Sequence, residues 1–150
     1  MKRSISSPLG PLVITADAGA LTGLTWSDDR HEDDDPLLRE AERQLAAYFA
    51  RALETFDLPL RVEASAFQRA VCDAMLAIPY GHTRTYGDLA RDLGATPQAV
   101  GQGCGGNPLP IVIPCHRVLG ANGLGGFSAR GGVETKVALL RHEGAAGLLI

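Results

Sequence analysis

The run Pro114-Cys115-His116-Arg117 sets a thiol beside an imidazole. A cysteine thiol has an ordinary pKa of ~8.5, so little thiolate exists at neutral pH without help. An adjacent imidazole can take the proton, directly or through water, once a third group fixes its orientation. Consecutive side chains of an extended segment diverge, so a water bridge or a sharp bend is needed, and Pro114 can supply the bend. The plainer reading of the dipeptide is a buried cysteine beside an unrelated histidine. The other two cysteines are Cys72 and Cys104. Three thiols with no Cys-x-x-Cys pair make neither a disulfide framework nor a structural zinc site. Cys72 sits beside an apolar stripe and reads as core.

The elements around this run must position it. Ile111-Val112-Ile113 predicts a buried β run stopped by Pro114, after a turn at Asn107-Pro108-Leu109-Pro110. Upstream, Ser65 is a candidate N-cap for a helix whose stripe is Phe67, Val71, Met75 and Ile78, ended by Pro79-Tyr80-Gly81. A short helix over 85–93 stops at Gly94, and Thr96-Pro97 opens a second one. The pair has the form of a helix-turn-helix. The second helix contains Gly101, Gly103, Gly105 and Gly106, each costing ~1 kcal/mol relative to alanine in a helix interior. Either the backbone there approaches something flat or narrow, or the segment is a loop. A glycine-rich stretch follows Leu119, and a last helix covers about Glu134 to His142, with Val137, Leu140 and the stem of Lys136 inward.

The first part of the chain reads differently. Residues 11–26 predict a β-hairpin turning at Asp17–Ala20. His31 to Pro36 is an acidic segment, read as a solvated loop in preference to a metal site. Leu38, Ala41, Leu45, Phe49, Leu53 and Phe56 recur at helical spacing and predict a helix over 37–56. A boundary falls near 58–65. Residues 1–65 carry 7 Lys/Arg against 12 Asp/Glu, a balance of −5, and residues 66–150 carry 7 against 5, a balance of +2. The 150-residue chain is thus expected to be α+β, with an N-terminal sheet-and-helix domain over 1–62 and a mainly α, winged-helix-like domain over 63–150. No apolar run approaches the ~20 residues of a membrane span, and no signal-peptide core follows Met1, so a cytoplasmic protein is expected.

The stretch Ile113-Pro-Cys-His-Arg-Val118 resembles the active-site signature of the O6-alkylguanine-DNA alkyltransferases. The resemblance continues through Phe67-Gln68-Arg69-Ala70-Val71, Ile78-Pro79-Tyr80-Gly81, Thr85-Tyr86, Leu89-Ala90, Ala99-Val100-Gly101 and Asn107-Pro108. Downstream it includes Gly126-Phe127-Ser128, Lys136, Leu139-Leu140 and Glu143-Gly144, and upstream, more loosely, Ser7-Pro8-Leu9-Gly10-Pro11-Leu12. It implies single-turnover transfer of an alkyl group from O6 of guanine in DNA, with O4-alkylthymine a further candidate substrate. Cys115 would be the acceptor, His116 the base acting through water, Glu143 its orienter, Asn107 a brace for the turn, and Tyr86 the proton donor to the leaving guanine. Thr85, Thr96, Gln98, Ala99, Gly101, Gly103, Arg117, Val118 and Ser128 would contact DNA or the base. Ala95 and the other small residues would fit the minor groove, and the carbonyls of Cys115 and Val118 would read the exocyclic amine. The implied partner is double-stranded DNA with an alkylated guanine, met by a monomer. Neither cofactor nor metal is expected, since the zinc ligands of some relatives have no counterparts near His31 or His82.

Gln98 stands where the family places an arginine that fills the gap left by the flipped base. Cys72 replaces a bulky aromatic, and the 128–132 loop is longer than the simplest family version. Three alternatives remain at this point: a lesion-binding protein without chemistry, a Cys–His hydrolase, and a helix-turn-helix transcriptional module.

Overall fold

Leu12, Val13 and Ile14 are apolar and consecutive, and all three are buried in the middle strand of a small sheet. The computed structural model describes residues 1–127 and 130–145. They fall into two compact units, Met1–Glu63 and Ala64–Ile150, in an α+β arrangement.

In the first unit, β1 (Lys2–Ile5), β2 (Leu12–Asp17) and β3 (Ala20–Trp26) form an antiparallel sheet in sequential order. The hairpin is where the alternation places it. β1 is polar at Lys2, Arg3 and Ser4, so its apolar content gave no strand signal. It pairs by backbone, with Ile5 opposite Leu12 and Lys2 opposite Thr15. Helix α1 (Pro36–Phe49) is capped by Asp35, whose carboxylate accepts from the amides of Leu37 and Leu38. The acidic segment therefore works in part as a helix cap.

Helix α1 ends at Phe49, short of the expected residue 56. The cause is a Schellman turn: Ala52 N donates to Ala47 O at 2.8 Å and Arg51 N to Tyr48 O at 3.1 Å, with Arg51 at φ 62°. Buried Gln44 then holds the following chain, its side-chain amide donating to Asp57 O at 2.9 Å and its Oε1 accepting from Asp57 N at 2.8 Å. Phe56 still stacks on Tyr48, with ring centroids 5.3 Å apart. The apolar spacing persists through this contact although the helix does not.

The second unit begins with α2 (Ala66–Leu76), capped by Ser65 through Gln68 N. Val71, Cys72, Met75 and Ile78 are buried, but Phe67, expected in the stripe, is exposed. Strand β4 (Arg84–Thr85) leads into α3 (Tyr86–Leu93), which a capping box between Thr85 and Asp88 opens. Gly94 at φ 64° closes α3, and Thr96 and Pro97 start α4 (Pro97–Gly105) as the sequence predicts. Then come the 3-10 turn Cys115–Arg117, β5 (Val118–Leu119) and α5 (Val133–His142). β4 and β5 pair in parallel, Arg84 with Val118 and Thr85 with Leu119. This short ladder ties the start of α3 to the exit from the Cys115 turn. On α5, Lys136, Leu139 and Leu140 are buried, while Val137 is half-buried.

The expected β run at Ile111–Ile113 is a buried turn. Ile113 N reaches back to Leu109 O at 2.8 Å, and Ile111 adopts φ 74°. That conformation is rare for a β-branched residue and stores strain of order 1–3 kcal/mol. Apolarity signalled burial correctly, but the chain has to reverse here and cannot extend.

Candidate active site

The bend expected at Pro114 is an inverse γ-turn. Pro114 has φ −81° and ψ 68°, and Cys115 N donates to Ile113 O at 2.8 Å. Asn107 stabilises the approach, its Nδ2 donating to Ile113 O at 2.8 Å and its Oδ1 accepting from Leu109 N at 3.0 Å. Residues 107–113 thus form a braced loop that delivers Cys115 into the 3-10 turn.

Cys115 lines a cavity of about 490 Å³ together with Tyr86, Gly101, Cys104, Gly105, Gly126 and Phe127. That size suits a small molecule or a single base. Burial pushes the Cys115 thiol above its ordinary value, opposed by the Asn107 amide and the Lys136 charge. At rest the sulfur is therefore a thiol and needs a base to become a nucleophile.

A candidate for that base is next in sequence. His116 is fully buried, and its Nε2 lies 2.8 Å from Glu143 Oε2. Burial lowers the imidazole below 6.5 although Glu143 pulls the other way, so the ring is neutral at physiological pH. Burial alone would raise Glu143, but its hydrogen bonds with His116 and Arg117 hold the carboxyl far below the ordinary range. An ionised carboxylate only accepts, so the His116 proton sits on Nε2 and the lone pair on Nδ1. Nδ1 is buried and has no hydrogen-bond partner among the described residues. A buried polar atom with a free lone pair is a proton acceptor in waiting.

Glu143 reaches this position because α5 ends there. Ala145 N bonds to Leu140 O and Gly144 N to Arg141 O, with Gly144 at φ 63°, a second Schellman closure. The turn fixes residue 143 at the helix cap.

Arg117, expected at DNA or the base, is buried and committed elsewhere. Its Nε donates to Glu143 Oε1 at 2.8 Å, Nη2 to Oε2 at 2.9 Å, and Nη1 to Ile78 O at 2.6 Å. A bidentate guanidinium both neutralises and orients the carboxylate that His116 uses. Gly103, also expected at DNA, lies against Val71 of α2. A Cβ there would meet Val71 Cγ2 at 2.9 Å, so the missing side chain lets α4 pack on α2. At Gly101, which lines the cavity, a Cβ would meet nothing within 4 Å.

The remaining candidates lie as follows. Tyr86 is half-buried on the cavity wall, and burial raises its phenol, keeping the proton. Thr85 and Thr96 cap α3 and α4. Thr96 and Gln98 are exposed on the first turn of α4 and Ala99 is half-buried behind them. The carbonyls of Cys115 and Val118 each already accept one bond, from Val118 N and from Lys136 Nζ, which leaves each a second lone pair. Ser128 lies outside the described residues.

Two side chains in the site were not assigned roles from sequence. Lys136 is fully buried, donates to Val118 O at 2.6 Å and Gly126 O at 3.1 Å, and stands 5.7 Å from the centre of the Tyr86 ring. Burial lowers its ammonium to about 8. It clamps two walls of the cavity. The available signal was a lysine and a glutamate seven residues apart on the apolar stripe of α5. Cys104 is the other, a second thiol on the cavity wall that burial pushes up to about 12. Among the described residues no cluster of His, Cys, Asp and Glu is arranged to hold a metal ion.

Comparisons with known proteins agree over both units. A family model described as the DNA binding domain of 6-O-methylguanine DNA methyltransferase matches residues 66–145, and one described as its ribonuclease-like domain matches residues 1–62. A methylated-DNA–protein-cysteine methyltransferase of Methanosarcina acetivorans is 39% identical over 150 residues, covering 93% of this chain and 95% of that one. Its namesake in Mycobacterium tuberculosis is 42% identical over 151 residues, covering 94% and 90%. The crystal structure of the M. tuberculosis O6-methylguanine methyltransferase superimposes with a TM-score of 0.85 at 40% identity over 99% of this chain and 95% of that one. A complex of the M. tuberculosis protein with DNA gives 0.85 at 43% identity, over 95% and 92%.

Proposed function

The chain belongs to the 6-O-methylguanine DNA methyltransferase family, and on that premise we propose that Cys115 is the sulfur that takes the alkyl group. The protein repairs DNA by direct alkyl transfer and binds DNA to do so. The observation that carries the assignment of roles is the pairing of a cavity-lining thiol with a neutral imidazole whose proton is held on the far nitrogen by Glu143.

In the reaction the Cys115 proton passes through water to Nδ1 of His116. The sulfur attacks the alkyl carbon on O6, the C–S bond forms, and the C–O bond breaks. The electron pair moves into the guanine ring, and the Tyr86 phenol donates the balancing proton. Glu143, paired with Arg117, stabilises the imidazolium that forms. Since the thioether is stable, each molecule acts once, and no cofactor is consumed.

The base must leave the duplex to reach the cavity, at a cost of a few kcal/mol. The start of α4, with Thr96 and Gln98 exposed and Ala99 and Gly101 half-buried, is the DNA-facing edge in this reading, lying in the minor groove. Gln98 extends like the arginine it replaces but carries no charge, so it props the vacated site less firmly. Residues 63–150 hold all of this chemistry, and residues 1–62 hold none of it. In this reading the protein meets DNA as a monomer in the cytoplasm; no described helix is long and apolar enough to cross a membrane. A purely lesion-binding role is not favoured, because a cavity-lining thiol and a carboxylate-oriented imidazole support the chemistry.

The test is stoichiometric. Titrating duplex DNA containing O6-methylguanine against the protein should consume one lesion per molecule and then stop. Continued turnover, or binding without loss of methyl from DNA, contradicts the reading.

A further inference from the structure

Cys104 has no part in the transfer just described, yet it shares the cavity wall with Cys115. Both residues are buried, at 6% and 7% relative exposure, and both line the same cavity. We propose that Cys104 and Cys115 form a disulfide when a hydroperoxide enters the cavity, reversibly blocking the alkyl acceptor. The chemistry stands on the shared cavity; its consequence for repair rests on Cys115 being the acceptor.

Two features make the bond attainable. A disulfide needs the Cβ atoms within about 4.5 Å, so some adjustment of α4 is allowed for. Gly103 and Gly106 hold α4 on α2, where an added Cβ would meet Val71 at 2.9 Å and Gln68 at 2.8 Å, so the adjustment falls to the Cys104 side chain and to the backbone at Gly101 and Gly105. Nothing lies within 4 Å of a Cβ built at Gly101 or Gly105, so neither is wedged in place. Cys72, the third thiol, is the internal control. It is buried beside the Gln68 amide, 3.5 Å from Nε2, and does not line the cavity.

His116 gives Cys115 a route for proton loss, so Cys115 reacts first. Its sulfur attacks one peroxide oxygen; an S–O bond forms, the O–O bond breaks, and water or an alcohol leaves. The Cys104 sulfur then attacks the sulfenic sulfur. The S–S bond forms, the S–O bond breaks, and the departing hydroxide takes the Cys104 proton as water. Two thiols are oxidised and one hydroperoxide is reduced. Without Cys104 the sulfenic acid goes on to sulfinic and sulfonic acids, which thiols do not reverse. For a protein that acts once, Cys104 preserves an unused molecule.

The experiment treats the full chain with hydrogen peroxide in the absence of DNA. No Lys or Arg lies between Arg91 and Arg117, so trypsin releases both cysteines in one peptide, residues 92–117. In the parent that peptide should be lighter by two hydrogens. Dithiothreitol should return methyl transfer to within about twofold of the untreated rate. Cys104→Ala, measured against its own untreated rate, should recover several-fold less and carry oxygen on Cys115. Cys72→Ala should behave like the parent. Sulfinic or sulfonic Cys115 in the parent without loss of the two hydrogens overturns the proposal. So does a disulfide to Cys72, or an unmodified peptide at peroxide levels that oxidise free cysteine. Should Cys104→Ala fail to fold, the peptide mass of the parent still decides. An untreated protein that transfers no methyl would contradict the repair assignment and leave the disulfide result standing.

Discussion

Glu143 and His116, 27 residues apart in sequence, meet at 2.8 Å in the interior. The carboxylate comes from the cap of α5 and the imidazole from the turn that holds Cys115. Their contact ties the last helix to the candidate site.

Glu143→Gln should slow single-turnover methyl transfer on the order of 10³-fold or more, because an amide can impose the wrong histidine tautomer. It also strips Arg117 of its carboxylate in a buried setting, and breaking such a pair costs about 3–5 kcal/mol. Rate and denaturant unfolding should both be measured. A normal rate with normal stability would show that the pair does nothing.

The pH dependence follows from the same groups. The folded imidazole of His116 titrates below its ordinary 6.5, so the transfer rate should hold down to about 6.5 and fall only further into acid. For stability, the unfolded chain takes up the His116 proton first. The contribution is complete above 6.5 and shrinks as pH falls toward the folded value. Glu143 adds stability that is complete above 4.5 and is lost as pH drops through its depressed folded value. Lys136, at about 8 in the fold against 10.5 unfolded, gains stability as pH rises between those values. Lys136→Met should abolish that alkaline gain. A rate profile centred above 7 on its acid side would contradict the neutral, buried imidazole.

Two glycines of α4 should separate packing from DNA contact. Gly103→Ala drives a methyl into Val71 and should cost about 1–3 kcal/mol of stability. Gly101→Ala meets open space and should gain up to ~1 kcal/mol of helix stability while weakening transfer from duplex DNA. Thermal unfolding and single-turnover rates on both variants check this. Equal stability losses would refute the distinction.

Gln98→Arg should raise the single-turnover rate on duplex DNA and leave the rate on free O6-methylguanine unchanged. The added cation acts on the everted state of the duplex, not on the chemistry. An unchanged duplex rate, with tight binding by the parent, would mean that Gln98 already serves.

Much of this was legible in the sequence, for identifiable reasons. Caps and terminators are local, so Ser65, Thr96-Pro97 and Gly94 marked helix ends correctly. The end of α1 was hidden because Arg51, not glycine, takes the left-handed position. The turn at Ile111–Ile113 was hidden because burial and extension share an apolar signature, and only the Asn107 brace distinguishes them. The pairing of Arg117 with Glu143 was not legible, because the two residues are 26 apart in sequence and close only in space. Cys104 drew no notice because nothing local to it shows that α4 and the Cys115 turn face one cavity.

The central claim is that the alkyl group ends on one particular sulfur. The protein should be mixed with duplex DNA carrying O6-methylguanine, digested with trypsin, and the 92–117 peptide fragmented in a mass spectrometer. One added methyl on Cys115, with Cys104 unchanged and no methyl transferred by Cys115→Ser, is the expected result. A methyl on Cys104, or loss of methyl from the DNA with Cys115 unmodified, would contradict it.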